Sequence, residues 1–345
     1  MVRKWILAAL AATSIASFTT GTYADDPPKK KPTVIKIGTL APEFSPWGTV
    51  FRVWAKAVKE KSKGELVLDF YWNGTAGDER TMVGNIRSGL LSGAAVTANG
   101  LADIYKNVLV LQMPGLAESW DELDKARAAI MPLVKENVEK QGFRVVGIGD
   151  VGEAHLMTKG FKVLRPSDLK ADPAVKRDPH LFAVVGDEIA PKLYETIGVD
   201  KYAKLSVPEI LASLGNGTVN VINAPSLAAV QLQWAANLDH LNLQTTGYAI
   251  GALVFSGAKL DALSDEQREI LKSTGEVASK ALTERIRGED KKAFEDLKSK
   301  MTTYKPERPE DVKAWKTAFA ATRAKLRGTV FDAKAYDAVM QAVGK

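Results

Sequence analysis

Two stretches of the sequence decide the fold: residues 82–97 read MVGNIRSGLLSGAAVT, and residues 210–223 read ILASLGNGTVNVIN. When Gly89 is aligned with Gly217, each stretch predicts a helix, a glycine turn and a short strand with polar residues at its end. These polar residues are Thr97, Asn99 and Asn223. Because ligands of open α/β sheets bind at the carboxyl ends of strands, two such lobes are expected to face each other across a cleft. A chance resemblance between two ordinary strand–helix units is the alternative.

The chain on either side of this repeat also alternates strands and helices, which predicts an α/β fold. Further strands are predicted at residues 34–40, 66–71, 143–148, 154–158 and 181–185, and further helices from Pro46 and at residues 189–197 and 227–238. The predicted divisions are residues 33–148 with about 248–290 for lobe 1, residues 149–247 for lobe 2, and residues 291–345 for C-terminal helices that pack across both lobes. The two lobes are expected to be joined by more than one crossing, near residues 147–152 and near residues 246–252.

The first 24 residues have the pattern of a secretory signal peptide. An Arg–Lys pair at residues 3–4 precedes an apolar stretch at residues 5–18, and Thr-Tyr-Ala at residues 22–24 supplies a cleavage site. The apolar stretch is shorter than a membrane-spanning helix requires. Export to the periplasm with removal of residues 1–24 is therefore expected, and an uncleaved anchor is the alternative. Residues 25–32 (DDPPKKKP) predict a disordered tether.

The composition excludes several classes of function. Cysteine is absent and only three histidines occur among 345 residues, so disulfides, thiolate metal sites and cysteine nucleophiles are ruled out. The formal charge of +6 falls to +4 without residues 1–24, which argues against a nucleic-acid-binding protein. Walker, G-x-S-x-G and H-E-x-x-H motifs are missing, so we predict no cofactor and no enzymatic activity. A secreted hydrolase or lyase that pairs an acidic residue with His155 is the alternative.

Four stretches, in order along the chain, resemble the extracytoplasmic solute receptors of TRAP transporters. They are residues 39–47 (TLAPEFSPW), 77–89 (GDERTMVGNIRSG), 168–170 (DLK) and 217–220 (GTVN, with Asn220 where the family has Asp). A fifth stretch, residues 225–234 (PSLAAVQLQW), resembles a narrower branch, the receptor subunit of TPR-protein-associated TRAP transporters.

This resemblance covers nearly all of the mature chain. It implies a two-lobed periplasmic-binding-protein-like fold, in which mixed sheets are flanked by helices and long C-terminal helices brace both lobes. It also implies a periplasmic receptor that captures a small-molecule ligand between its lobes and delivers it to TRAP membrane permease subunits. The narrower branch implies a TPR-repeat protein as a further partner.

One predicted strand departs from the family pattern. Most TRAP receptors hold a substrate carboxylate with an arginine on the strand after the D-L-K-G segment, and that position falls here on Phe182 or Ala183. Because neither side chain pairs with a carboxylate, a largely apolar or amphipathic ligand is expected, lipid-like molecules included. Core packing is the alternative role of Phe182. The second candidate is an organic-acid receptor that recruits another arginine, either Arg80, Arg87 or Arg177.

The expected ligand-binding residues combine aromatic side chains with a few polar groups that orient the ligand. They are Phe44, Trp47, Glu79, Thr97, Asn99, Phe182, Asn223, Pro225, Gln231, Trp234 and Tyr248. A role at the start of a helix is the alternative for Glu79, and core packing is the alternative for Trp234. No metal ligands are predicted.

Overall fold

A computed structural model describes residues 31–345. The predicted signal peptide at residues 1–24 and residues 25–30 of the predicted tether lie outside the described residues. The strands are β1 (Thr33–Thr39), β2 (Leu66–Tyr71), β3 (Gly93–Thr97), β4 (Phe143–Thr158), β5 (Phe182–Val184), β6 (Ala203–Leu205), β7 (Val221–Pro225), β8 (His240–Ser256) and β9 (Thr302–Tyr304). The helices are α1 (Pro46–Lys61), α2 (Glu79–Arg87), α3 (Ala98–Ala102), α4 (Trp120–Lys140), α5 (Ile189–Ile197), α6 (Ile210–Gly215), α7 (Ser226–Gln231), α8 (Gly257–Asp261), α9 (Asp265–Lys300), α10 (Pro309–Leu326) and α11 (Ala333–Ala342).

The main sheet is mixed and has two distinct ends. Its strands follow the order β2-β1-β3-β8-β4-β7, and β9 pairs with β8. β1 runs parallel to β2 and β3, whereas the neighbours from β3 to β7 are antiparallel. Residues 251–255 of β8 pair with β3, while residues 154–158 of β4 pair with β7. The long strands β4 and β8 therefore connect one group of strands to the other, as a two-lobed α/β architecture requires.

The middle of β4 differs from the sequence prediction. Two strands were expected at residues 143–148 and 154–158, but β4 is a single strand whose pairing with β8 shifts register between Asp150 and Gly152. Gly152 has a φ of 146°, and a Cβ there would lie 2.6 Å from Cγ of Asp290 on α9. Only glycine allows this backbone and this close approach of the helix. The strand therefore bends beside α9 and does not end.

The helix α9 spans 36 residues and is capped by Ser264, whose side chain accepts a hydrogen bond from the backbone of Gln267. Most of its buried face packs in a core cluster with Trp54 of α1, and Leu297 near its end packs in another cluster with Met157 of β4. Residue 290, the expected end of lobe 1, lies inside this helix. A single rigid helix thus contacts both lobes, and the lobe boundaries stay a prediction.

Two further elements bear on the site. The helix predicted at residues 227–238 is shorter, because α7 ends at Gln231 and Gln233 adopts a left-handed φ of 62°. In α10, Trp315 Nε1 donates to the carbonyl of Leu164 at 3.0 Å.

Within residues 31–345, no helix has both the length and the apolar character needed to cross a bilayer.

Candidate ligand-binding cleft

A cavity of about 350 Å³ lies between the two ends of the sheet. Its wall includes Thr39 at the end of β1, Thr97 at the end of β3 and Asn223 of β7. Phe182 of β5, in the predicted second lobe, also lines the cavity, and so does Tyr248 of β8, in the middle of the sheet. The volume lies in the range of small-molecule sites, and the cavity is where the repeat predicts a cleft.

The structure brings nine of the eleven expected ligand-binding residues to the cavity wall. They are Trp47, Glu79, Thr97, Asn99, Phe182, Asn223, Pro225, Trp234 and Tyr248. Their contact with a ligand stays a prediction.

Phe44 and Gln231, the other two expected ligand-binding residues, do not line the cavity. Phe44 is 82% exposed, with the guanidinium of Arg52 5.0 Å from its ring centroid. The neighbouring Ser45 donates to the Pro42 carbonyl at 2.6 Å, and this turn directs the chain into α1 with Phe44 on the outside. Gln231 ends α7, and Leu232 lines the cavity in its place.

The strand β5 presents alternate residues to the cavity. Phe182 and Val184 line it, whereas Ala183 is 3% exposed and belongs to a core cluster. Side chains on a strand alternate between its two faces, so of the two positions considered for the family arginine, only Phe182 faces the cleft. The half-buried Phe182 also packs against the core cluster around Trp234, and both roles expected for it are therefore compatible.

The charged side chains in the cavity wall are acidic. They are Glu79, Asp150 and Asp187, and within residues 31–345 no arginine, lysine or histidine lines the cavity. Glu79 accepts hydrogen bonds from the backbone N–H of Thr97 and, at 2.8 Å, from its hydroxyl. Asp187 accepts from the N–H of Ile189 at 2.7 Å. Burial raises the pKa of both Glu79 and Asp187 above the usual values, although these hydrogen bonds oppose the shift.

Asp150 is neutralised by two arginines from behind the cavity wall. It accepts from Arg127, and its other carboxylate oxygen accepts from Arg287 Nε at 2.6 Å. Arg287 also holds Asp124 with contacts of 2.7 and 2.9 Å and lies 4.5 Å from the ring centroid of Trp120. Both guanidinium groups are thereby engaged, and neither residue lines the cavity.

The arginines considered for carboxylate binding lie elsewhere. Arg80 pairs with Asp103 at 3.2 Å, Arg87 donates to the carbonyl of Asp103 at 2.8 Å, and Arg177 pairs with Asp168 at 3.4 Å. None of the three is part of the cavity wall. The organic-acid alternative therefore lacks the cations that the sequence offered for it.

His155 is also outside the cavity. It is 3% exposed, and its ring stacks on Phe294 of α9 with 4.5 Å between centroids. Burial lowers its pKa, which favours the neutral ring. In the part of the chain that the structure describes, no cluster of histidine and acidic side chains could hold a metal ion.

Thr246 and Gln112 are two of the polar wall residues that the sequence analysis missed. Thr246 of β8 donates from its hydroxyl to Asn223 Oδ1 at 2.7 Å. Gln112 ends a 3₁₀ turn at Lys106–Gln112, and its Oε1 accepts from the N–H of Ile250 at 3.4 Å. Thr246 lies in a crossing that was predicted, but nothing in the pattern around Gln112 distinguishes it from a surface glutamine.

The chain matches a family model and several solved structures. Residues 37–327 match the model of DctP, bacterial extracellular solute-binding protein, family 7. The 2,3-diketo-L-gulonate-binding periplasmic protein YiaO of Escherichia coli is 21% identical over 250 residues, which cover 70% of this chain and 71% of that protein.

Two crystal structures share the fold at low identity. A sugar acid binding protein of Advenella mimigardefordensis in complex with galactonate has a TM-score of 0.82 at 16% identity and covers 91% of this chain and 98% of its own. A TRAP periplasmic solute-binding protein of Sulfurospirillum deleyianum with bound succinate has a TM-score of 0.81 at 16% identity and covers 91% of this chain and 100% of its own.

These matches confirm the two-lobed fold and the resemblance to TRAP solute receptors. The matched family and structures are receptors, so the hydrolase or lyase alternative is wrong. The narrower TPR-associated branch stays a prediction.

Proposed function

Because the chain belongs to the bacterial extracellular solute-binding proteins of family 7, we propose that it captures a largely apolar or amphipathic molecule for a TRAP-type secondary transporter. TRAP receptors bind small molecules and deliver them to membrane permease subunits. The observation that carries the ligand class is the absence of any basic side chain from the cavity wall among residues 31–345. Of the two positions where the family resemblance places an arginine, Phe182 and Ala183, Phe182 lines the cavity.

Electrostatics and burial support this ligand class together. A carboxylate that enters the cavity meets Glu79 and Asp187 and finds no cation, and an unpaired buried charge costs several kcal/mol. An apolar ligand gains roughly 25 cal/mol for each Å² of surface that it buries against Phe182, Val184 and Trp234. Several such contacts are enough for micromolar binding.

The test combines the natural ligand with defined compounds. The protein is purified from the periplasm of its own organism, and the molecule that it releases is identified by mass spectrometry. We expect an apolar or amphipathic compound, and calorimetry of the emptied protein should show no binding of succinate or galactonate. A released sugar acid or dicarboxylate, with micromolar affinity on return, would overturn the proposal.

An organic acid is the second candidate, and the ligands named for the matched structures, galactonate and succinate, favour it. Such a ligand needs a cation, and Arg127 is bonded to Asp150, a residue of the cavity wall. If an acid binds here, Arg127→Met should abolish its binding, whereas Arg177→Met should leave it unchanged. Equal binding of an acid by both variants would show that Arg127 is not its cation, and failure of the wild-type protein to bind any acid would remove this candidate.

Export and partners complete the proposal. The signal-peptide pattern of residues 1–24 supports a mature protein that begins at Asp25 in the periplasm, and N-terminal sequencing of the periplasmic form tests this. The resemblance of residues 225–234 supports a TPR-repeat protein as a partner besides the permease. Cross-linking in intact cells should recover permease subunits, and recovery of a TPR-repeat protein with them would support the narrower branch.

A further inference from the structure

Gln112 holds its side-chain amide in one orientation at the cavity wall. The side chain is half-buried and lines the cavity. Its Oε1 lies 3.4 Å from the backbone N–H of Ile250, which is a donor and therefore requires the carbonyl end of the amide to face β8. The amino group at Nε2 is left without a partner among residues 31–345 and is the polar group that Gln112 offers to the cavity.

Several acceptors in the cavity wall are already engaged or out of reach. Glu79 is held by Thr97, and Asp150 by two arginines. The carbonyl oxygen of Asn223 accepts from Thr246. Asn99 Oδ1 has no partner within the described chain, but it is fully buried, so that a ligand does not reach it. Asp187 accepts from two backbone N–H groups through Oδ1 alone, so its other oxygen stays an acceptor. In the part of the chain that the structure describes, the wall therefore offers amide donors and lacks cations.

We infer that Gln112 is a specificity-determining residue that donates a hydrogen bond from Nε2 to an uncharged acceptor oxygen of the ligand. The inference rests on the proposed function. Ketone, ester and amide carbonyls are the chemical class selected, because such an oxygen needs only a donor. A carboxylate also needs a compensating charge, which no side chain of the wall among residues 31–345 supplies.

The test uses two probes of nearly the same shape. Butyrophenone and butylbenzene share a ring and a four-carbon chain, and only butyrophenone carries a carbonyl oxygen. Their affinities for the emptied full-length mature protein are measured by calorimetry or NMR titration. Gln112→Met keeps the length of the side chain and removes its donor. A neutral hydrogen bond contributes a factor of about two to ten in affinity.

We expect Gln112→Met to weaken butyrophenone binding by about that factor and to leave butylbenzene binding unchanged or slightly tighter. Gln141→Met is the matched control, since Gln141 is exposed and lies outside the cavity wall, and it should change neither affinity. Gln112→Glu, which places a carboxylate at the same position, should weaken butyrophenone binding at least as much. This second variant also decides the question if Gln112→Met does not fold.

The outcomes separate this inference from the proposed function. If both probes bind and Gln112→Met changes both affinities equally, or neither, the role of Gln112 is wrong while the apolar ligand class stands. If neither probe binds the wild-type protein, the proposed ligand class fails, and the inference fails with it. Binding of succinate or galactonate in the same titrations would then identify an acid receptor.

Discussion

The ends of β3 and β7 are equivalent in the sequence repeat, yet they use their polar residues differently. At the end of β3, Thr97 donates both its backbone N–H and its hydroxyl to the buried carboxylate of Glu79. Two residues before the end of β7, Asn223 is exposed to the cavity and its side-chain oxygen accepts from Thr246. The polar groups at the end of β3 therefore stabilise their own lobe, whereas β7 leaves the amide of Asn223 available to a ligand.

The helix that follows each strand explains this difference. α3 begins directly after β3, and the Thr97 hydroxyl caps it by accepting from the backbone N–H of Asn99 at 3.2 Å. α7 begins directly after β7, but the residue at its N-cap position is Pro225, which makes no capping hydrogen bond with its side chain. Asp290 of α9 instead accepts from the N–H of Leu227 at 2.8 Å. Another helix therefore supplies the acceptor, and Asn223, two residues before the N-cap position at Pro225, takes no part in capping.

Loss of the Glu79 carboxylate should have the largest effect on stability. Glu79→Ala leaves the donors of Thr97 without their acceptor in a buried setting, and we expect the free energy of unfolding to fall by about 2–4 kcal/mol. Asn223→Ala removes an exposed amide and should cost about 0.5 kcal/mol or less. Urea denaturation of both variants measures the difference. If the free energy of unfolding fell equally in both variants, the polar residues of β3 and β7 would not differ in their role.

The second prediction concerns Asp290, whose carboxylate accepts a hydrogen bond from the first turn of α7, directly after β7. Burial raises the pKa of Asp290 to about 6, despite hydrogen bonds from the backbone N–H groups of Glu153 and Leu227. Because the folded protein holds this proton more tightly than the unfolded chain, the contribution of Asp290 to stability is complete below about pH 4 and is lost as the pH rises through about 6. The stability lost over this interval is roughly 2–3 kcal/mol.

Asp290→Asn removes the titration and keeps one carbonyl oxygen as an acceptor. Between pH 4 and pH 7.5 the wild-type protein should therefore lose about 2–3 kcal/mol of unfolding free energy relative to this variant. Asp296→Asn, on the same helix, is the control and should follow the wild-type pH profile. Parallel profiles for the wild-type protein and Asp290→Asn would contradict the assignment.

The repeat and the order of the elements could be predicted from the sequence because they depend on local patterns. Alternation of strands and helices, the glycine turns at Gly89 and Gly217 and the Ser264 cap of α9 are each encoded within a few residues. The continuity of β4 could not be predicted in the same way. It depends on pairing with β8, about a hundred residues later, and on the close approach of α9 at Gly152.

Site residues were predictable where they follow a strand end and were unpredictable where long-range contacts orient a side chain. Thr97 ends β3, Asn223 lies two residues before the end of β7, and both line the cavity. Phe44 was expected to bind the ligand, but the turn at Ser45 directs it away from the cavity. Gln112 was missed, since its orientation depends on a hydrogen bond to Ile250, 138 residues away.

The third prediction compares aromatic residues of the two lobes. Phe182→Ala removes a cavity-lining ring and should weaken butyrophenone binding by about 1–3 kcal/mol. Phe44→Ala removes an exposed ring at the entrance of α1 and should leave this affinity unchanged. Calorimetry measures the affinity of both variants for butyrophenone. A loss with Phe44→Ala alone would place the binding surface outside the cavity.

The smallest expected effect concerns an ion pair between the predicted lobes. Lys106 Nζ lies 2.7 Å from Oε1 of Glu188, and Glu188 immediately precedes α5 on the far side of the cleft. The two side chains are 52% and 42% exposed, so the pair is worth only about 0.2–1 kcal/mol. In a receptor that closes by hinge bending, such an energy changes the ratio of closed to open forms by at most about fivefold.

Lys106→Glu should therefore open the cleft slightly and weaken ligand binding by about two- to fivefold at low salt, with a smaller effect at high salt. The exchange of both charges in Lys106→Glu/Glu188→Lys should restore the affinity. Lys192 and Glu195 form a comparable pair at 2.8 Å within α5, and because that pair does not join the lobes, Lys192→Glu should leave binding unchanged. Small-angle scattering of the ligand-free forms measures the opening directly. Equal effects of Lys106→Glu and Lys192→Glu, or a charge exchange that fails to restore binding, would show that Lys106 and Glu188 do not hold the lobes together.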